Sequence, residues 1–350
     1  MKENTDFSGM LDLLICPGFY VIDNKITKSN SSAAELGLVP GVDISSMLAS
    51  GQEELAGFSQ GILYLTMHLQ DRIMGASIFS VPGALLFLLE ESTEQSDLHC
   101  LALAAREMRA PLAVAMNAAA NLNRENPQAA DQLSRMNRAL CQILRLVGNM
   151  SDAGIYSLDF PEVRNISAIV DSALEDTINL ARQAGIDLRY QGLEEEIFSI
   201  VDAQLLERAL LNILSNAIKF LPKGCTIDVQ AVRVGTMIRI TVQDNGPGIP
   251  DNVLESMFHR YQRRPDIEDP RFGLGLGMVI VRSAASRHGG TVLVDRPPEG
   301  GTRVTFTLAI RQDHDSTLNF SRFRIDYTGE WNHALVELSD CLPAELYSDF

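Results

Sequence analysis

Two asparagines, Asn212 and Asn216, lie four residues apart in the apolar segment LLNILSNAIKF. On a helix this spacing directs both amides to one face, and amide oxygens are hard ligands of the kind that Mg²⁺ prefers. Taken alone, such a pair is more typical of polar surface or capping residues. A cation site is therefore a hypothesis that depends on the neighbouring motifs.

A glycine-rich motif, DNGPGIP, follows about thirty residues later and begins at Asp244. Its glycines, Gly246 and Gly248, let the backbone pass close to a ligand, and the Asp244 carboxylate can accept a hydrogen bond from it. By itself the string is typical of a turn. Its position about thirty residues after the asparagine pair favours a ligand-binding function over a plain turn.

A second glycine motif, GLGLGMVIV, carries Gly273, Gly275 and Gly277 directly before a predicted helix from Met278 to His288. Backbone N–H groups at a helix start attract phosphate, although glycines of this kind also occur at ordinary helix contacts. The segment between the two motifs carries Phe258 and four arginines, Arg260, Arg263, Arg264 and Arg271. In an acidic chain, this basic segment predicts a flexible lid over phosphates, with any single arginine equally typical of a solvated loop.

Four motifs, LLNILSNAIKF, DNGPGIP, GLGLGMVIV and GGTRVTFTL, occur in one order. As a set they resemble the ATP-binding domain of sensor histidine kinases, and the resemblance spans about residues 95–310. It implies ATP and Mg²⁺ as cofactors, Asn216 as the Mg²⁺ ligand and Asp244 as the acceptor for the adenine amino group. The other ATP-binding residues that it implies are Asn212, Lys219, Gly246, Gly248, Phe258, Arg260, Gly273, Gly275, Gly277 and Thr302.

Asn212 stands where related ATPases such as gyrase carry the glutamate that activates water. An amide cannot act as a general base, so this residue favours phosphoryl transfer over rapid ATP hydrolysis.

The phosphoacceptor histidine of the family is absent. In the family it precedes Glu-x-x-Arg-x-Pro-Leu, whereas this chain reads Arg106, Glu107, Met108, Arg109, Ala110, Pro111, Leu112. Arginine stays protonated and offers no lone pair, so Arg106 cannot accept a phosphoryl group. Glu107, which holds the base position of the family, is retained. His99, the other histidine on this helix, lacks the motif, and a packed or solvated histidine is favoured there.

A helical hairpin must position the Arg106 segment. Apolar residues alternate in steps of three and four on both sides of an Asn126-Pro127 break, at Leu98, Leu101, Ala105, Met108, Leu112, Ala115, Ala119 and Leu122, then at Leu133, Met136, Leu140, Ile143, Val147 and Met150. Two such stripes cannot both be fully buried in one hairpin, so we expect a homodimeric four-helix bundle. Pro111 is expected to bend the first helix.

The chain is predicted to be an α+β multidomain protein. Residues 10–91 resemble a PAS-like α+β sensor, 92–151 form the dimeric hairpin, 152–311 form a two-layer α/β sandwich ATP-binding domain and 312–350 are an acidic extension. A small dimerisation domain without a ligand is the open alternative for residues 10–91. For the extension, a short amphipathic helix at Ala334–Leu338 is expected, packed either on the ATP-binding domain or on a partner.

Several elements of these regions can be predicted individually. The N-terminal strands are Phe19–Asp23, Ile62–Leu69, Ile73–Val81 and Ala84–Leu89, with a turn at Asn24-Lys25 and a capped helix at Ala33–Leu36. In the third region we expect a helix from about Ile166 to Ala184, an Asp202-capped helix to Phe220 and strands Ile227–Val232, Ile238–Val242, Val292–Val294 and Val304–Leu308. His288 is expected to place a charge or cap at a helix end.

Composition excludes several classes of function. A net charge of −16 without a Lys/Arg block argues against nucleic-acid binding, and 46% hydrophobic residues support buried cores. Five scattered cysteines without a CxxC pair predict neither a disulfide framework nor a zinc site. Because no apolar run reaches the roughly 20 residues of a membrane span, we expect a cytoplasmic protein.

These features predict a homodimeric, Mg-ATP-binding homologue of sensor histidine kinases that cannot autophosphorylate at the usual position. It would signal by conformation or by phosphorylating another protein, such as a response regulator. Two alternatives stay open: a non-enzymatic, ATP-responsive scaffold or pseudokinase, and a serine kinase of the anti-sigma-factor type. The long hairpin argues against the second alternative.

Overall fold

The computed structural model describes residues 11, 14, 16–70, 72–89, 95–125, 129–154, 162–250, 276–311 and 332–348. The strands are β1 (Gly18–Ile22), β2 (Lys25–Ser29), β3 (Ile62–Leu69), β4 (Arg72–Val81), β5 (Ala84–Leu89), β6 (Glu162–Asn165), β7 (Asp187–Gln191), β8 (Phe198–Val201), β9 (Thr226–Val234), β10 (Met237–Asp244), β11 (Val292–Asp295) and β12 (Arg303–Ala309). The helices are α1 (Ser31–Glu35), α2 (Gln52–Gly57), α3 (Gln95–Glu125), α4 (Ala130–Gly154), α5 (Ile166–Gln183), α6 (Ala203–Phe220), α7 (Gly277–Arg287) and α8 (His333–Glu337). Short 3-10 turns lie at Ser45–Met47 and Ala344–Tyr347.

The predicted elements of the N-terminal region are confirmed with small shifts. The turn between β1 and β2 lies at Asp23 and Asn24, not at Asn24-Lys25, because both residues take positive φ (49° and 61°), as a tight hairpin turn requires. The helix α1 is capped by Asn30, whose side chain accepts a hydrogen bond from the Ala33 N–H. The strand β4 begins at Arg72, one residue before the predicted start.

The predicted elements of the third region are confirmed as well. The Asp202 side chain accepts a hydrogen bond from the Leu205 N–H (3.0 Å) and caps α6. The strands β9, β10, β12 and β11 pair antiparallel in that order, while β7 pairs in parallel with β9. The helices α5, α6 and α7 carry apolar faces that are buried against one another and the sheet.

One ten-stranded sheet joins the N-terminal region to the predicted ATP-binding region, in the order β2-β1-β5-β4-β3-β11-β12-β10-β9-β7. The junction is the antiparallel pair β3 and β11, in which Leu63 lies opposite Leu293. The sequence predicts both strands but not their pairing. The two regions therefore share a continuous backbone hydrogen-bond network across the β3–β11 pair.

Side chains reinforce the junction between β3 and the helix α7. The Arg282 guanidinium lies over the Tyr64 ring at 4.8 Å from its centroid, and the Thr66 and Ser286 hydroxyls are 3.1 Å apart. Arg282 is 2% exposed, and a cation over an aromatic face is most favourable when water is excluded. Helix α7 therefore contacts the N-terminal region as well as the predicted ATP-binding region to which it belongs.

The long helices α3 and α4 pack side by side, and α3 continues through Pro111. Each helix buries part of its predicted apolar stripe and exposes the rest. Leu112 on α3 and Val147 on α4 are buried, whereas Met108 on α3 and Ile143 on α4 are 45% and 41% exposed. Exposed apolar residues at core spacing are what an unpaired half of a bundle would present, so the homodimer stays a prediction. Within the described ranges, no helix has both the length and the apolar character to span a membrane.

The C-terminal helix α8 packs against α4, α5 and α6. Its Val336 and the later Tyr347 are fully buried and belong to the same apolar cluster as the hairpin and the sandwich helices. The predicted helix at Ala334–Leu338 is thus confirmed at His333–Glu337, and it lies on the chain's own helices.

The strand junction can be tested at Gly61, which precedes β3 with φ +90°. A Cβ there would lie 2.2 Å from the Val294 carbonyl oxygen, whereas a Cβ at Gly83 (φ +83°) would meet nothing within 4 Å. Because both sites carry the same backbone strain, Gly61→Ala should cost about 1–3 kcal/mol more than Gly83→Ala in urea unfolding. Equal losses would contradict the close contact between β3 and β11.

Candidate nucleotide-binding site

Helix α6 brings the predicted motifs together. At its C-terminal end, Leu221 packs on the loop after β10 so closely that a Cβ on Gly246 would lie 2.3 Å from its Cδ2. Further back, a Cβ on Gly277, the first residue of α7, would lie 2.8 Å from Asn212 Oδ1. Both glycine motifs therefore contact α6, and a side chain at either glycine would displace Leu221 or Asn212.

Asp244 lies at the end of β10 in a fixed orientation. Its Oδ1 accepts hydrogen bonds from the backbone N–H groups of Gly246 (2.8 Å) and Thr302 (3.2 Å). The segment after β11 is tight as well, since a Cβ on Gly301 would lie 1.9 Å from the Asp244 carbonyl oxygen. Burial raises the pKa of the Asp244 carboxyl, while the hydrogen bonds from Gly246 and Thr302 lower it. The arrangement gives a half-buried, oriented acceptor beside glycine backbone.

The two asparagines of α6 lie in different surroundings. Asn216 is partly exposed, as a residue that binds a cation must be. Asn212 is 0% exposed, and its Nδ2 donates to the Arg208 carbonyl (2.9 Å) and to Glu337 Oε2 (3.4 Å). Asn212 is therefore held by the protein, while Asn216 can meet a ligand.

Lys219, one turn beyond Asn216, makes an ion pair with the C-terminal region. Its Nζ lies 3.3 Å from Asp340 Oδ2. Burial lowers the pKa of Lys219, and the Asp340 carboxylate opposes this by raising it. The ammonium that the motif assigns to ATP is thus paired with an internal carboxylate.

A buried ion network lies beneath these residues. Glu337, on α8, is 0% exposed and accepts hydrogen bonds from Arg145 Nε (3.2 Å) and Arg208 Nε (3.1 Å). Arg145 also donates to Asn212 Oδ1 (3.4 Å). Sequence reasoning missed Glu337 because an acidic residue in a short amphipathic helix is normally solvated. An arginine at position 208, on the apolar side of α6, was the one available signal.

The remaining predicted residues are less fully described. Phe258, Arg260, Gly273 and Gly275 lie outside the described residues. Gly248 has φ +76°, and a Cβ on it would lie 3.1 Å from the Gly301 carbonyl. Glu107 is exposed on α3, and Arg106 belongs to the same helix, with its side chain outside the described part of the structure.

His288 links the ends of the two helices that flank the site. Its Nε2 accepts a hydrogen bond from the Asp202 N–H (3.0 Å) at the start of α6, and its Nδ1 lies 2.7 Å from the Ala284 carbonyl. A ring that accepts at Nε2 and donates at Nδ1 is neutral. The predicted cap is confirmed, but it acts without a charge.

The neutral state of His288 predicts a pH dependence. Burial lowers the pKa of His288 below its usual value of 6.5, so the unfolded chain binds a proton first as the pH falls. Its contribution is complete above about pH 6.5 and is lost as the pH falls below that value. His288→Gln, whose amide does not titrate, should lose less unfolding free energy between pH 7 and 5.5 than the wild type. The exposed His68→Gln is the control, and an identical pH profile for all three proteins would refute the assignment.

Comparison with known proteins agrees with the motifs. Residues 201–312 match the family described as histidine kinase-, DNA gyrase B-, and HSP90-like ATPase. The chain is 29% identical over 226 residues to the sensor protein KdpD of Mycobacterium tuberculosis, covering 61% of this chain and 26% of that protein. It is 32% identical over 213 residues to the sensor protein QseC of Salmonella typhimurium, covering 57% and 44%. The chain thus spans less than half the length of these relatives.

Solved structures include similar chains. The mycobacterial sensor histidine kinase MprB is 29% identical, with a TM-score of 0.36, over 43% of this chain and 98% of its own. Full-length ShkA in complex with AMPPNP is 21% identical, with a TM-score of 0.48, over 61% of this chain and 46% of its own.

Proposed function

We propose that this chain, which belongs to the sensor histidine kinase family, binds Mg-ATP beside α6 and signals without an acceptor histidine of its own. The observation that carries the proposal is the contact of both glycine motifs with α6, around the oriented Asp244 carboxylate. The sequence match over residues 201–312 supports the same ligand.

The base end of the site fits adenine. The Asp244 carboxylate would accept the exocyclic amino hydrogen of adenine, and the backbone at Gly246 and Gly248 would pass close to the ring. Thr302 fixes the carboxylate through its N–H. Such a hydrogen bond distinguishes adenine from guanine, which has no amino group at that position.

The phosphate end fits a Mg²⁺ complex. Asn216 would supply one oxygen ligand, because Mg²⁺ takes few protein ligands and completes its shell with phosphate and water. Lys219 would neutralise phosphate charge, and the first N–H groups of α7 would face anions. When bound, Mg-ATP would supply a phosphoryl group for transfer.

The acceptor position carries the main departure from the family. Arg106 occupies it within α3, and a guanidinium has no lone pair with which to attack phosphorus. Glu107 is exposed nearby, so the base position is retained without its nucleophile. Signalling then proceeds by conformation or by phosphorylation of another protein, with a response regulator as the partner class.

The exposed apolar residues of the hairpin support a homodimer. Val114 and Leu122 are 69% and 49% exposed on α3, and Ile143 is 41% exposed on α4. A second hairpin would cover these residues in a four-helix bundle. The N-terminal region would act as the PAS-like sensor of this dimer in the cytoplasm.

A first experiment tests nucleotide binding. Asp244→Asn replaces an ionised acceptor by a mixed amide, so Mg-ATP affinity measured by calorimetry should fall at least roughly tenfold, as expected for a charge-assisted hydrogen bond. Asp228→Asn is the matched control, because Asp228 is exposed on β9 opposite Gln243. Affinity that Asp244→Asn leaves unchanged would rule out the assigned adenine contact.

A second experiment tests the acceptor position. Incubated with labelled ATP, the wild type should form no acid-labile, alkali-stable phosphate, whereas Arg106→His should form it, because phosphoryl transfer depends mainly on positioning. Arg106→Gln is the control, since it removes the charge without adding a nucleophile. Labelled phosphohistidine in the wild type would contradict the proposal.

A non-enzymatic scaffold is the second candidate. The observation that favours it is the pairing of Lys219 with Asp340 and of Asn212 with Glu337, which ties site residues to the C-terminal region. In such a scaffold, nucleotide binding would only change the shape of the dimer. Failure of Arg106→His to form phosphohistidine, with Mg-ATP binding intact, would favour this candidate.

A further inference from the structure

Residues 332–348, here called the C-terminal strap, bind to the hairpin helix α4. Arg138 Nε donates to the Ser339 carbonyl (2.9 Å), and Asn137 Nδ2 donates to the Tyr347 carbonyl (3.0 Å). Tyr347 is fully buried, and its hydroxyl donates to the Leu335 carbonyl (2.7 Å). The strap is therefore an ordered element with specific contacts.

The strap also reaches the phosphate end of the candidate site. Asp340 Oδ2 lies 2.7 Å from Arg145 Nη1 and 3.3 Å from Lys219 Nζ. One carboxylate oxygen thus lies between a guanidinium and an ammonium. Carboxylate and phosphate oxygens are interchangeable ligands for such groups, so Asp340 satisfies Lys219 as a phosphate would.

We infer that the C-terminal strap is an autoinhibitory element whose Asp340 carboxylate competes with the nucleotide's phosphates for Lys219. The inference rests on the proposed function, because it requires Lys219 to bind phosphate. Lys219 can hold one anion closely, and a second anion beside Asp340 would be repelled by it. Nucleotide binding therefore requires Asp340 to withdraw.

Two acidic side chains of the strap differ in exposure, and Asp340 is the easier of them to release. The Asp340 side chain is 30% exposed, whereas the Glu337 side chain is fully buried between Arg145 and Arg208. Arg145 and Lys219 are each 8% exposed, so the Asp340 pairs reach water only on the Asp340 side, and they are less costly to break than the fully buried Glu337 pairs. Asp340 can thus leave Lys219 while Glu337 keeps the strap attached to α4 and α6.

Withdrawal of Asp340 would also change the hairpin. Arg145 lies on α4 and contacts Asp340, Glu337 and Asn212. When Asp340 moves, Arg145 loses its closest carboxylate contact and keeps those with Glu337 and Asn212. Occupation of the phosphate end is thereby communicated to the helix that would form the dimer.

The decisive experiment compares Mg-ATP affinity by calorimetry in five full-length proteins, the wild type and four variants. Asp340→Asn should tighten binding roughly tenfold, since it removes one charge-assisted competitor for Lys219. Glu345→Gln, which neutralises an exposed acid of the same strap, should leave the affinity unchanged. In a Lys219→Ala background, Asp340→Asn should give no gain, because the competition acts through Lys219.

A second experiment uses the wild-type protein and measures the alkylation rate of Cys341, which does not require enzymatic activity. Burial raises the pKa of the Cys341 thiol to about 11, so alkylation at neutral pH is slow while the strap is closed. Mg-ATP should accelerate alkylation of Cys341 several-fold, measured by peptide mass spectrometry. Cys225, outside the strap, serves as the internal reference.

The outcomes separate this inference from the proposed function. If Asp244→Asn weakens binding but Asp340→Asn does not tighten it, the strap is structural and the inference falls alone. An equal gain from Asp340→Asn with and without Lys219 would also overturn it. If none of the proteins binds Mg-ATP, the proposed function fails and the inference fails with it.

Discussion

The buried pairing of Glu337 with Arg145 and Arg208 is the interaction on which the arrangement of the site depends. It joins α8, α4 and α6, which come from three separate parts of the chain. A fully buried carboxylate is stable only when charges and hydrogen bonds compensate its lost hydration, and losing one partner of such a pair costs about 3–5 kcal/mol. The hairpin cannot move freely relative to α6 while this network is intact.

The N-terminal region is joined to the site through α7. The pairing of β3 with β11, together with Arg282 over Tyr64, fastens the N-terminal sheet to α7. Helix α7 in turn begins at Gly277, which contacts Asn212 of the buried network. A change in the N-terminal sheet therefore has a continuous path of packed groups to α6. Such contiguity permits coupling between the regions.

Local signals made much of this structure predictable. Asp202 caps α6, Asn30 caps α1 and Asp244 ends β10, because caps and strand ends depend on a few neighbouring residues. The junction of β3 with β11 was not predictable, since any apolar strand edge can pair with another. The burial of Glu337 escaped prediction for a related reason: its arginine partners lie more than a hundred residues away in the chain.

Hydrogen exchange of the full chain, followed by mass spectrometry with and without saturating Mg-ATP, distinguishes a strap that competes with the nucleotide from a purely structural one. In our proposal, the C-terminal strap and the nucleotide's phosphates compete for Lys219 at one end of α6. Peptides within residues 332–348 should then exchange faster when Mg-ATP is bound, while peptides across the loop after β10 exchange more slowly. Protection of the loop together with unchanged or slower exchange in the strap would show that the strap and the nucleotide do not compete.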